Sequence, residues 1–435
     1  MSRIVGFFKV IRNNWKKSVV GAGVLSYGVS HGLETYQTNL LMRSYCEEAV
    51  KFGDEALPAH QRPRHITVIL NPTSNKKKSK KLFEKYCEPL LHLAGIAVTI
   101  IQTEQEGQAR GIIEKLNTQT DAIIVAGGDG TLSDVVTGLM RKYNGNSAYT
   151  KQCPIGILPL GEINRTANHL FNKKYDNLSL VHQLADATMA TIKGSTKYID
   201  VVELESLENP DPENPIKPIY AVGQIEWGAW RDANAQKDKY WYLGSLRRYA
   251  TFVFCGLKNN LNWSIDGTLK YTDPCSGCSR CYQDIRNQQN ITSSKKWWHV
   301  FIPRKTGYYD ENKIDYSKII NNKCGEYKEM PISSTELSLI SSNLSDNSND
   351  TQSSVKIYLG PEHVTYMDFV KEGWRRIKGE KNLVIKTLEA KDIELFPNAN
   401  LKQQGQQQYF SIDNEEYEVK PVKLRLFSNA VKIFV

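Results

Sequence analysis

The stretch from Asp121 to Leu132 leaves this chain few choices of fold. Ala122-Ile123-Ile124-Val125-Ala126 is an apolar run rich in branched residues, the pattern of a strand buried on both faces of a parallel sheet. It ends in Gly127, Gly128 and Gly130 around Asp129, and Leu132, Val135, Val136 and Leu139 then recur at helical spacing. Strand, glycine turn and helix together make an anion site, because glycines let backbone N–H groups approach a phosphate and the helix dipole favours negative charge there. No lysine follows the glycines, which excludes a P-loop. Asp129 makes sense beside a phosphate if a divalent cation lies between them, or if it takes a proton from an attacking hydroxyl. The blander reading is a helix cap in a tight turn.

Around this stretch the pattern alternates. Strands are expected over 65–70, 96–103, 121–126 and 155–158, with helices over 79–93, 105–116, 131–142 and 178–192, which predicts a doubly wound parallel α/β sheet. Ligands of such sheets sit at the carboxyl ends of strands, where Asn71, Thr103, residues 127–131 and Gly161 all fall. That convergence predicts one nucleotide crevice.

From Tyr198 the alternation becomes that of antiparallel strands, expected over 199–205, 219–225, 298–302, 336–340, 355–359, 383–388 and 418–427. Between the first two, the connection 208–218 carries four prolines and reads as a loop. The expectation is a β-rich second domain over 198–435 behind a nucleotide domain over 63–197, with polar insertions at about 265–330 and 341–354. The second insertion is almost all Ser, Asn and Asp and reads as disordered.

Before Glu34 there is no acidic residue, while Arg3, Lys9, Arg12, Lys16 and Lys17 are basic. Residues 18–33 are mostly small and apolar but fall short of the roughly 20 needed to span a bilayer. Residues 1–62 therefore read as a mitochondrial targeting segment that doubles as an interfacial anchor, with an ordinary surface helix as the alternative. The formal net charge of +9 suits an anionic partner. No nucleic-acid motif accompanies it, so a phospholipid surface is favoured.

The Gly127–Thr131 turn, with Asn71-Pro72 after an earlier strand and Pro159-Leu160-Gly161 after a later one, resembles the diacylglycerol kinase catalytic domain shared with sphingosine kinases. The resemblance to the mitochondrial acylglycerol kinases of that family runs nearly end to end. It takes in Phe7-Phe8-Lys9, Trp15-Lys16-Lys17, Tyr240-Trp241-Tyr242-Leu243-Gly244 and Ser411-Ile412-Asp413 with Glu415-Glu416-Tyr417-Glu418. It implies a lipid kinase that uses ATP and Mg²⁺ on an acylglycerol at the mitochondrial inner membrane, facing the intermembrane space. It also implies a β-sandwich second domain, with the closing stretch of chain packed back on the first. A sphingosine- or ceramide-type kinase is the alternative activity. A kinase-independent place in the inner-membrane carrier-import complex is the alternative role.

Carried onto this chain, the resemblance places nucleotide contacts at Asn71, Lys76, Lys78, Thr103, Gly127, Gly128, Gly130, Thr131, Gly161 and Asn164. Two family glycines are replaced by Ser74 and Asn75, and the lysines that follow also read as a solvated basic turn. Asp129, Asp134 and Asp413 are the expected metal ligands, although Asp134 also suits the first turn of a helix on dipole grounds alone. Asp129 and Glu415 are the expected catalytic carboxylates, with Glu415 as the base and Asp413-Asn414-Glu415 standing for an Asp-Gly-Glu. Asp232, in Trp227-Gly228-Ala229-Trp230-Arg231-Asp232, is expected to hold the lipid hydroxyl in line. The mixed aromatic and basic residues from Tyr240 to Tyr249 suit a membrane interface, or else a packed helix with a basic wet side.

Cys275, Cys278 and Cys281 are spaced C-x2-C-x2-C, with Cys255 and Cys324 as possible fourth ligands. Zinc needs four ligands, and no closely spaced second pair or histidine completes the set, so the sequence favours cysteines on a surface insertion.

Overall fold

The computed structural model describes residues 13–56, 62–105, 107–116, 120–162, 164–171, 179–208, 216–257, 264–275, 277–281, 318–342, 353–398 and 408–435. Arg3, Lys9, Arg12, the expected strand 298–302 and most of 341–354 lie outside them.

Four parallel strands lie in the order β2-β1-β3-β4: β1 (His65–Leu70), β2 (Ala97–Gln102), β3 (Ala122–Gly127) and β4 (Ile155–Pro159). The alternation of β3 sorts its side chains onto two cores. Ile124 and Ala126 pack with Leu90, Leu91 and Leu184 beneath helices α2 (79–93) and α6 (Ser179–Lys193). Ile123 and Val125 pack with Ile113, Leu132, Val135 and Val136 beneath α3 (Gln108–Glu114) and α4 (Asp129–Lys142). Burial of each such side chain contributes about 1.5–3 kcal/mol, so the sheet is fixed from both faces. Within α2 one turn widens to a π-turn at Phe83–Cys87, just before Pro89, which has no N–H to continue the regular ladder. After β4 comes the short helix α5 (Arg165–Phe171).

The chain ends on the strand that joins the two halves. β16 (Val422–Phe434) pairs antiparallel with β5 (Thr196–Ser206) along most of its length, and at its far end Ile433 pairs parallel with Ile155 of β4. The short β6 (Ile219–Ala221) pairs with the other side of β5. β13 (Asp392–Pro397), β8 (Ile265–Thr272) and β9 (Tyr327–Ser334) extend this into a sheet of ten strands. A second, six-stranded antiparallel sheet runs β12-β11-β10-β7-β14-β15. Its members are β7 (Gln224–Gly228), β10 (Glu336–Ser341), β11 (Val355–Leu359), β12 (Lys386–Ala390), β14 (Tyr409–Ile412) and β15 (Glu415–Glu418). Trp227, Leu339, Ile357 and Phe410 from the small sheet meet Leu204, Leu269, Ile393 and Leu424 from the large one in a single core. That is the expected β-sandwich.

The polar insertion expected from about 265 is bracketed by paired strands instead, with Ile265 opposite Ser334 and Thr272 opposite Tyr327. Gly267 blurs the alternation of β8, and Pro331 argues against β9 on sequence, yet an edge strand tolerates a proline.

Ahead of the sheet, α1 (Trp15–Gly53) runs 39 residues. Its second half packs through Leu41, Met42, Tyr45 and Phe52 on the first core, with Tyr45 Oη donating to Asp186 Oδ1 at 2.7 Å. Its first half leaves Val20, Val24 and Leu25 two-thirds exposed. No helix among the described residues is long and apolar enough to cross a membrane.

Helices α3 and α4 approach closely at Gly138, where an added Cβ would lie 2.6 Å from the Arg110 carbonyl oxygen and 2.8 Å from Ile113 Cβ. Helix propensity alone makes Gly138→Ala stabilising by up to about 1 kcal/mol. Overpacking reverses the sign, and a net loss of about 1–3 kcal/mol in denaturant unfolding is expected; a stabilised variant would contradict this packing.

Candidate functional site

The loops at the carboxyl ends of β1 to β4 are tied to one another. An added Cβ on Gly161 would fall 2.4 Å from Gly128 Cα, so the loops after β3 and β4 touch backbone to backbone. Gly161 N–H donates to Gly127 O at 3.1 Å and to Asn164 Oδ1 at 3.0 Å, and Asn164 Nδ2 donates back to Pro159 O at 3.2 Å. An added Cβ on Gly127 would meet Thr131 Oγ1 at 2.6 Å. Asn71 Nδ2 donates to Thr131 Oγ1 at 3.2 Å, and Thr103 N–H to Leu70 O at 2.9 Å. Asn71, Thr103, Gly127, Gly128, Thr131, Gly161 and Asn164 therefore gather at one end of the sheet. Lys76 and Lys78 stand exposed on the turn after Asn71. In that turn Asn75, Lys76 and Lys77 have φ of 50°, 54° and 66°, a left-handed course that glycine adopts more readily.

Asp129 is buried, and its two oxygens accept N–H groups at the start of α5, from Arg165 at 2.9 Å and Thr166 at 3.2 Å. It thus caps the helix after β4 while opening the helix after β3. Opposite, the β14–β15 hairpin turns through Asp413 and Asn414, with φ of 48° and 72°, a conformation that Asp and Asn tolerate. The Asp413 carboxylate accepts N–H groups from Val222, Gly223 and Gln224 at 2.8, 2.9 and 2.8 Å. Asn414 Nδ2 reaches Asp129 Oδ2 at 3.4 Å.

Asp129 and Asp413 line one small cleft together with Arg165, Gln224, Glu226 and Ser411. Burial raises the pKa of both acids against the pull of their N–H donors. That of Asp413 reaches about 6, with the charge of Asp129 adding to the shift. Glu226 stays ionised: burial pushes it up, but Arg165 and Lys381 hold it at about 2. Two buried carboxylates lining one cleft, with the charge of Asp129 raising the proton affinity of Asp413, fit a hard divalent cation such as Mg²⁺.

Asp134 does not line that cleft. Its carboxylate is taken by Arg110 Nε from α3, so the metal role expected of it meets a competing partner. The same guanidinium donates through Nη2 to Glu415 Oε2 and Tyr417 Oη, both at 2.7 Å, and Tyr417 Oη donates to Glu415 Oε2 at 2.7 Å. Glu415 is thereby pressed on the start of α4, its Cγ 3.2 Å from where a Gly130 Cβ would stand. Nothing in the sequence marks Arg110, a single arginine on a short helix.

Asp232 lies in the first turn of α7 (Ala229–Ala235), away from the cleft. Arg231 binds it at 2.9 Å and reaches Glu416 at 2.7 Å, joining it to the same hairpin. Glu162, to which the sequence assigned no role, clasps Arg247 at 2.7 Å and Arg248 at 2.9 Å at the start of α8 (Arg247–Leu257). Burial pushes its carboxyl up, and Arg248, Lys237 and Arg247 bring it down to about 2.

A glycine-lined crevice at the sheet's carboxyl end, closed by an acidic hairpin from a β-sandwich, is the arrangement of a lipid kinase of the diacylglycerol kinase class. The family model "Diacylglycerol kinase catalytic domain" matches residues 65–204. A putative diacylglycerol kinase from Bacillus anthracis has this fold, with a TM-score of 0.51 and 13% identity over 86% of this chain and 98% of that one. Within the class, the chain belongs to the acylglycerol kinase family, whose C-terminal model matches residues 222–435. The human protein named "Acylglycerol kinase, mitochondrial" is 33% identical over 98% of this chain and 96% of its own length, and its Xenopus laevis counterpart is 34% identical over 98% and 94%. Human sphingosine kinase 1 is 29% identical over only 43% of this chain and 47% of its own. The chain is a lipid kinase, and kinases of this family use ATP.

The Asp413 carboxyl has a native pKa above its unfolded value of about 3.9, so it binds its proton more tightly when folded. Its contribution to stability is present near pH 4 and is lost as the pH rises through 6. Without divalent cations, the stability of the wild type relative to Asp413→Asn is expected to fall by roughly 2 kcal/mol between pH 4 and pH 7. Parallel pH curves for the two proteins would contradict the assignment.

Proposed function

We propose that this chain transfers the γ-phosphate of ATP·Mg²⁺ to mono- and diacylglycerol, giving lysophosphatidic and phosphatidic acid, at the mitochondrial inner membrane on its intermembrane-space side. The observation that carries this reading is similarity over nearly the whole chain to proteins named "Acylglycerol kinase, mitochondrial", against similarity over less than half of it to sphingosine kinases. Residues 63–197 take the nucleotide, 198–435 the lipid, and 1–62 address and anchor the chain.

The loops at Asn71, Lys76, Lys78, Thr103, Gly127–Thr131, Gly161 and Asn164 cradle the phosphates. Asp129 and Asp413 hold Mg²⁺, which when bound draws charge from the phosphate oxygens. Glu415, steadied on Gly130 by Arg110 and Tyr417, takes the proton of the lipid hydroxyl, and Asp232 orients that hydroxyl. Most of the catalysis is positioning, since phosphoryl transfer passes through a loose transition state. Trp241, Tyr242 and Leu246, all exposed beside Arg247 and Arg248, suit the membrane face from which the lipid enters. The exposed apolar first half of α1 supports a second role, docking into the carrier-import complex; a Gly128→Glu chain without kinase activity that still restores carrier import would establish it.

Purified protein given labelled ATP and vesicles of defined neutral lipids should label lysophosphatidic and phosphatidic acid. Sphingosine or ceramide as the favoured acceptor would replace this reading, and no labelled lipid at all would end it. Glu415→Gln should lower kcat by about 10²–10⁴-fold and leave the KM for ATP nearly unchanged, whereas Asp232→Asn should raise the KM for lipid. A Glu415→Gln enzyme with wild-type turnover would make Glu415 a structural carboxylate.

A further inference from the structure

Far from the crevice along the large sheet, the β8–β9 hairpin forms the edge. The chain leaving β8 carries Cys275, Cys278 and Cys281, and the chain entering β9 returns Cys324 to them. The four Sγ atoms all lie within 4.8 Å of one another. Cys278 and Cys281 are 3.7 Å apart and Cys281 and Cys275 4.0 Å. Four thiolates placed tetrahedrally at about 2.3 Å from a zinc ion stand about 3.8 Å apart, whereas a disulfide brings two sulfurs to about 2.05 Å. The spacing is that of ligands around a shared centre. Cys278 and Cys281 are buried and the other two half-buried.

The surroundings suit deprotonated sulfur. Cys278 N–H points at Cys281 Sγ at 3.2 Å, and Asn321 Nδ2 donates to Cys275 Sγ at 3.5 Å. Such N–H···S contacts orient metal-bound thiolates and tune them. Arg280 sets a positive charge beside the cluster and ties its two strands of chain together, donating through Nη1 to Asn322 O at 2.9 Å and Cys324 O at 3.3 Å. Ser279 N–H donates across the same gap to Ile319 O at 2.8 Å. Cys255, the other fourth ligand that the sequence allowed, lies on α8 with its sulfur against Tyr240, Thr251 and Gln236.

We propose that Cys275, Cys278, Cys281 and Cys324 bind one Zn²⁺ as a tetrathiolate site that staples the base of the excursion between β8 and β9. The four thiols release their protons as the metal binds, and no oxidation is involved. Four protein ligands leave no open position, so the ion is structural.

The test is elemental analysis of the full-length protein, expressed with zinc in the medium and purified without chelator, beside Cys278→Ser, Cys324→Ser and Cys255→Ser. The wild type and Cys255→Ser are expected to hold one zinc per chain, and the other two variants to lose it. Replacing zinc by Co²⁺ in the wild type should give intense sulfur-to-metal charge-transfer absorption, a readout that does not depend on any variant folding. A metal-free wild type, iron in place of zinc, disulfides among these four cysteines in non-reducing peptide mapping, or equal zinc loss from Cys255→Ser would each overturn the assignment.

Discussion

The pairing of the last strand holds the molecule together. β16 enters the large sheet between elements from opposite ends of the sequence, with Leu424 beside Ile393 of β13 and Leu204 of β5, and Ile433 beside Ile155 of β4. A bulge between Phe427 and Val431, with Asn429 at φ 51° and its N–H on Asp200 Oδ1 at 2.7 Å, marks the change from sandwich to parallel core. Because β16 is fixed at both ends, the β14–β15 hairpin just before it has one place to go. It lands on the start of α4, beside the glycine loop.

That landing sets the electrostatics of the crevice. Four carboxylates, Asp129, Asp134, Asp413 and Glu415, would repel one another there without compensation. The one guanidinium of Arg110 is shared by Asp134 and Glu415, leaving Asp129 and Asp413 as a pair whose charge backbone N–H groups offset only in part. Removing one partner of a buried ion pair strands the others at a cost of several kcal/mol, so Arg110 holds the hairpin and the acidic pair in one arrangement. Glu162 ties the loop after β4 to the start of α8. Ion pairs thus tie the loop after β4 to the aromatic and basic segment near α8, and α3 and α4 to the acidic hairpin.

Much of the parallel core was legible, because buried strands and amphipathic helices declare themselves by period. Three glycines packed around Asp129 directly after such a strand suit little besides an anion. Asn71, Thr103, residues 127–131 and Gly161 could be named from the strand pattern, whereas Asn164 came only from the family resemblance. The sandwich was harder to read. β8 contains Gly267, β9 contains Pro331, and short strands such as β14 and β15 offer too few residues for a period to emerge. The roles of Arg110 and Glu162 depend on contacts between distant segments, 305 residues apart for Arg110 and Glu415, which no local pattern encodes. The sequence offered both Cys255 and Cys324 beside the three spaced cysteines and could not choose between them: only the return of β9 to β8 brings Cys324 to its partners.

In the proposed function, the acidic turn of the β-rich half completes the metal and nucleotide site of the parallel half. Titration of Mn²⁺ with ATP, followed by electron paramagnetic resonance of the unbound ion, tests it most directly, with wild type and Asp413→Asn compared at equal folded fraction. The account predicts Mn²⁺·ATP binding weakened about tenfold or more in Asp413→Asn, the loss of about 1.4 kcal/mol or more of interaction. Equal binding by the two proteins would confine the site to the parallel domain and contradict it.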